Sequence, residues 1–134
     1  MQLLYYSSTA DQDNKRLEAV VHKVIPAGRI EIFNELDDLR ERLRTPVEPD
    51  SIAVFLASSR KELRDIQSLR GLLTETYIIL VLPDLNKGTI KIAHHLLPRY
   101  LSQKGSGFAD LKVVLNKMYV NSQHPHIGEI SRGS

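Results

Sequence analysis

The chain contains no cysteine, which excludes a disulfide framework, a thiolate nucleophile and any cysteine-based zinc site, and fits a reducing compartment. Charge of one sign is also missing: the formal net charge is +2, too small to imply a polyanionic partner, so nucleic acid is not expected. No apolar run approaches the roughly 20 residues that cross a bilayer. The opening MQLLYYSS lacks the basic segment and long apolar core of a secretory signal, so neither a membrane span nor export is expected and the expected location is cytoplasmic. Aromatic residues make up 6%, few enough to leave little for a sandwich around a flat cofactor.

What remains is an average globular composition, with 42% hydrophobic and 25% charged residues over 134 positions, enough for one domain with a core. Five short apolar runs, LLYYS, IEIF, SIAVFLA, YIILVL and RYLSQ, alternate with helix-like stretches. This alternation predicts a parallel sheet with helices on both faces, and ligands of such sheets gather at the carboxyl ends of the strands. Function is therefore sought at Tyr6 to Thr9, Ala57 to Arg60, Leu82 to Leu85 and Gln103 to Gly105.

The first run is followed by Ser7-Ser8-Thr9, which offers capping hydroxyls, and by a helix from about Ala10 to Val24 with Leu17, Val20, Val21, Val24 and Ile25 as its stripe. Asn34 is expected to cap the second helix, whose face carries Leu36, Leu39 and Leu43. Ser58 or Ser59 caps a third, with Leu63, Ile66, Leu69, Leu72 and Leu73 inward and Arg60, Lys61, Glu62, Arg64 and Asp65 facing water. A poorer fourth helix runs from about Lys87 to Leu97, weakened by Gly88 and the branched Thr89, Ile90 and Ile92. Phe108, Leu111, Val114, Leu115 and Met118 mark the last helix. Residues 1–120 are read as the domain, and residues 121–134 as a polar tail or linker.

The order of elements, ending in Tyr100-Leu101-Ser102-Gln103-Lys104 and then Phe108 and Leu111, resembles the receiver domain of two-component response regulators. The resemblance implies a flavodoxin-like α/β fold with five parallel strands in the order 2-1-3-4-5. It also implies where phosphorylation chemistry would lie: an acidic pair after strand one, an acceptor aspartate after strand three, a hydroxyl after strand four and a lysine after strand five. A hard cation takes the carboxylates and the lysine neutralises the phosphoryl oxygens. In this chain the acidic pair falls on Ser7 and Ser8, the acceptor on Ala57 or a neighbour and the hydroxyl near Pro83, while Lys104 supplies the lysine, one residue displaced from the usual spacing. The pattern resembles a degenerate receiver, a pseudo-receiver without phosphorylation chemistry, acting as a protein-interaction or regulatory module and not as an enzyme.

Other residues carry weaker expectations. Asp11 and Asp13 are either displaced metal ligands or ordinary first-turn acids, and Asp84 is either a functional carboxylate or a turn residue. His94 and His95 point about 100° apart on a helix, and His124 and His126 form a loose pair, so no metal site is expected. With no histidine near a strand end, Ser58 and Ser59 lack a base. The rival reading is a flavodoxin-like FMN-binding, electron-transfer domain, suggested by Tyr6-Ser7-Ser8-Thr9 ahead of a helix. Against it stand Asp11 and Asp13, the lack of glycine in that loop, and no aromatic residue in the later loops; no cofactor is expected. In the resembled family, helix four, strand five and helix five form a docking face, and the surplus of apolar positions there points to Ile90, Ile92 and Tyr100 as the contact to a partner or a second copy.

Overall fold

The computed structural model describes residues 1–123. Five parallel strands, β1 (Leu3–Ser7), β2 (Ile30–Phe33), β3 (Ile52–Leu56), β4 (Tyr77–Leu82) and β5 (Tyr100–Gln103), form one sheet in the order β2-β1-β3-β4-β5. The helices are α1 (Gln12–Val24), α2 (Leu36–Arg42), α3 (Arg60–Gln67), α4 (Lys87–His94) and α5 (Ala109–Gln123). This is the flavodoxin-like α/β architecture expected from the sequence.

The near-continuous apolar runs follow from burial of the sheet on both faces. Alternate residues of one strand enter different cores: Leu4, Tyr6, Phe55, Leu80 and Leu82 pack beneath α2, α3 and α4, whereas Leu3, Tyr5, Val54, Ile79 and Val81 pack beneath α1 and α5. The central strand β3 is buried at every position. The rings of Tyr6 and Phe55, on adjacent strands, lie 6.1 Å apart.

Several boundaries differ from the sequence reading, each for a local reason. Helix α1 begins two residues late because Asp11, and not the preceding hydroxyls, accepts the N–H of Asn14 as its cap. The cap of α2 is Glu35, with no side-chain bond, so Asn34 does not fill that role. Helix α3 stops at Gln67, and a short three-ten turn over Arg70–Leu72 carries Leu72 away from the core, leaving it 42% exposed. Helix α4 ends at His94, short of Leu97. Helix α5 continues through Gln123; the rest of the expected tail lies outside the described residues. No helix among the described residues is long and apolar enough to cross a membrane.

Candidate functional site

The carboxyl edge of the sheet is built from short polar side chains that satisfy one another. Ser7, buried at the end of β1, donates its hydroxyl to the Thr9 carbonyl at 3.1 Å and accepts the Thr9 N–H at 3.3 Å. This local turn consumes its hydrogen-bonding capacity. Ala57, just past β3, is fully buried and its N–H is bound to the Val81 carbonyl. Pro83 follows β4 and is half-buried. None of these side chains is a carboxylate.

A carboxylate nevertheless reaches the edge from the next helix. Glu62 of α3 accepts the Ser58 N–H at 2.8 Å, the Ser58 hydroxyl at 3.0 Å and the Tyr6 hydroxyl at 3.1 Å, and also the Ser8 hydroxyl. Ser59 meanwhile caps α3 by accepting the Glu62 N–H at 3.1 Å. The reciprocal pattern is a capping box in which the glutamate takes the N–H one residue ahead of the cap. Glu62 is half-buried, which corrects its expected place among the water-facing residues. The signal was present as Ser59-Arg60-Lys61-Glu62, the S-x-x-E spacing of such a box. Burial, and then the charge of Glu62, pushes the Tyr6 hydroxyl up to about 12. A groove of about 300 Å³ opens beside Glu62, with Glu35, Asp37, Arg40 and Asp65 on its walls.

Lys104 does not face this cluster. Its Nζ lies 3.5 Å from Asp11 Oδ2, and the neighbouring Gly105 N–H donates to Asp13 at 3.0 Å. The two acids of the α1 start therefore clasp the loop after β5. The Asn14 N–H, with help from Lys104, holds the Asp11 carboxyl below its ordinary range. Gly105 has a φ of 82°, a conformation that glycine adopts without steric cost.

Asp84 accepts the Asn86 N–H at 2.9 Å in a local turn, and the hydroxyl of Thr89, ahead of that N–H in effect, lowers its pKa. Arg60 Nε donates to the buried Thr89 Oγ1 at 2.8 Å, tying α3 to α4. A Cβ at Gly88 would lie 2.8 Å from Arg60 Nη1, so the helix-weakening glycine makes room for this tie. Among the described residues no group of three or more histidines and carboxylates is arranged to hold a metal ion. His94 and His95 are exposed at the end of α4, and His124 and His126 lie outside the described residues.

Of the expected contact residues, Ile90 and Ile92 are half-buried and pack against the core beneath α4. Tyr100 packs on the opposite core and its hydroxyl donates to Asp110 Oδ2 at 2.8 Å. They therefore contribute to the fold. Exposed apolar side chains on α5 and after α4, among the described residues, are Val113, Val120 and Leu97.

The chain is thus a five-stranded flavodoxin-like domain with a receiver-like arrangement of strands and helices. A solved structure described as a pilus assembly-related protein, from Burkholderia pseudomallei K96243, superposes with a TM-score of 0.60 at 17% identity, covering 88% of this chain and 90% of that one. At that identity the likeness is one of fold. No family model matches the chain, and no curated protein sequence matches it.

Proposed function

We propose that this chain is a receiver-like signalling module that does not accept a phosphoryl group and works by binding protein, without catalysis. The observation that carries this reading is Glu62. The end of β3, where the resembled family has its acceptor carboxylate, carries Ala57, and the space beside it is taken by a glutamate already engaged with Tyr6, Ser8 and Ser58. Ser7 and Ser8 cannot replace an acidic pair for a hard cation, and Lys104 is directed to Asp11. The docking contact runs through α4, β5 and α5, to a second copy or a partner, with Ile90, Ile92 and Tyr100 supporting it and Val113 exposed on it. That a pilus assembly-related protein shares the fold is consistent with a module that docks into a larger apparatus.

The test is an amide NMR titration with acetyl phosphate, and separately with beryllofluoride and Mg²⁺. Spectra unchanged at Ser7, Ala57 and Lys104 are the expected outcome. Concerted shifts at the three would show a working acceptor pocket and end this reading.

A further inference from the structure

The amino edge of the sheet, opposite the serine and glutamate cluster, holds the most exposed large apolar side chain among the described residues: Leu97, at 73%. Its backbone is in the left-handed region, with a φ of 51°, at a position just past a helix that glycine or asparagine ordinarily fills. Its N–H is bound to the His94 carbonyl at 3.0 Å and Pro98 follows, so the turn itself is fixed. Leucine here is unfavourable twice over, once for its backbone and once for its exposure. Strain of this kind collects where a ligand or partner is held.

Leu97 also forms the ridge between two concavities. One, of about 460 Å³, is lined by His94, Arg99 and Tyr100; the other, of about 200 Å³, by Arg70 and Ile78. The second continues past Thr74 and Thr76 into a third of about 160 Å³ beside the exposed Leu72. Together they make a furrow along the starts of β4 and β5.

No carboxylate lines the two concavities that Leu97 joins, whereas Arg70, His94 and Arg99 do. Lys91 adds a further cation one turn before His94 on α4. Acids lie beside these two concavities and not in them: Glu75 in the third concavity, Asp50, which accepts the Tyr77 hydroxyl, and Asp110, which accepts the Tyr100 hydroxyl. A second copy seated here by its own furrow, as a two-fold dimer would place it, would set cations against cations, which like-charge repulsion disfavours.

We propose that this furrow docks an acidic segment of another protein, which covers Leu97 with an apolar side chain and presents carboxylates to Arg70 and Arg99. The inference rests on the reading of the chain as an interaction module. It centres on a different edge of the fold from the α4, β5 and α5 contact, which it meets at Lys91 and His94 of α4 and at Tyr100 and Leu101 of β5.

Two synthetic helical peptides test it, identical in their leucine pattern but with glutamate in one and lysine in the other at the polar positions, each titrated into the labelled protein. The glutamate peptide is expected to shift the amides of Arg70, Leu97 and Arg99, less so as salt rises to about 0.3 M. The lysine peptide is expected to leave them in place. Leu97→Gly should weaken the binding about tenfold or more while its melting temperature is no lower than that of the parent. Equal response to both peptides, or no shift at these amides, would overturn the proposal. So would a clear fall in the melting temperature of Leu97→Gly, since the leucine would then serve the fold, or self-association that Leu97→Gly abolishes, since a second copy would then be the occupant. A response to beryllofluoride would count against the non-phosphorylated reading alone and would leave the peptide result standing.

Discussion

The backbone N–H of Ser58 donates to Glu62 Oε1 at 2.8 Å across one turn of chain, bringing a carboxylate from α3 to the end of β3. Because Tyr6 and Ser8 of the neighbouring strand end donate to the same carboxylate, one side chain joins two loops and the start of a helix. Glu62→Ala should remove about 2 kcal/mol of stability, through loss of the glutamate's half of the capping box and of charge-assisted bonds, which leaves Tyr6 and Ser58 unpaired while Ser59 still caps the helix. Urea denaturation measures this, and a loss below about 0.5 kcal/mol would mean that water replaces the carboxylate without cost.

Glu62→Gln should bring the Tyr6 hydroxyl down from about 12 towards its ordinary 10.0, though not fully, because burial is the larger cause and remains. NMR titration of the Tyr6 ring is the measurement. An unchanged midpoint would show that the glutamate charge plays no part.

Alkaline pH should destabilise the domain. Burial also raises the Tyr5 hydroxyl, so the folded state keeps protons on both tyrosines that the unfolded chain releases at about 10. Stability is then fully present below about pH 10 and falls as pH rises through 10 to 12. Chemical denaturation at pH 9 and pH 11 would reveal it, and equal midpoints would contradict the argument.

Purified protein should be colourless and should leave the fluorescence of FMN unquenched at micromolar concentration. The Asp11 carboxylate caps α1 and occupies the helix start where a phosphate would sit. Quenching that saturates on titration would revive the electron-transfer reading.

Association through α5 should depend on Val113, which is 57% exposed. Val113→Asp is expected to weaken association by about 2 kcal/mol, as a central interface residue does, without lowering the melting temperature at concentrations where the parent is monomeric. Ile92→Asp should lower both, because Ile92 also packs on the core. Sedimentation and thermal melting separate the two effects, and a monomer at every concentration, with no partner contact on α5, would remove this surface from the account.

Strand positions and parallel pairing were legible in the sequence because burial on both faces forces continuous apolar runs such as YIILVL, and parallel pairing forces a helix between them; the strand order came with the receiver resemblance, since alternation alone does not say which strands are neighbours. Helix ends were less legible. Asp11 and the serine and threonine residues before it are all competent caps, and only tertiary geometry selects among them. Glu62 was misjudged because a helical wheel assigns it to the outer face, whereas in the first turn a long side chain can bend back past the helix start. The S-x-x-E spacing would have found it. Ile90 and Ile92 read as a surplus because the pattern does not show how wide a stripe β4 and β5 can cover.

The clasp between Asp11 and Lys104 joins residues 93 positions apart, and the core beneath α1 is closed by α5, the last element described. During synthesis the face formed by Leu3, Tyr5, Val54 and Val81 therefore has only half its roof until α5 has left the ribosome. Folding should await that moment. Ribosome-bound chains stalled before Ala109 are expected to be cut readily by protease and those stalled well past Gln123 to resist it, whereas early resistance would mean that the sheet and α2, α3 and α4 hold together unaided.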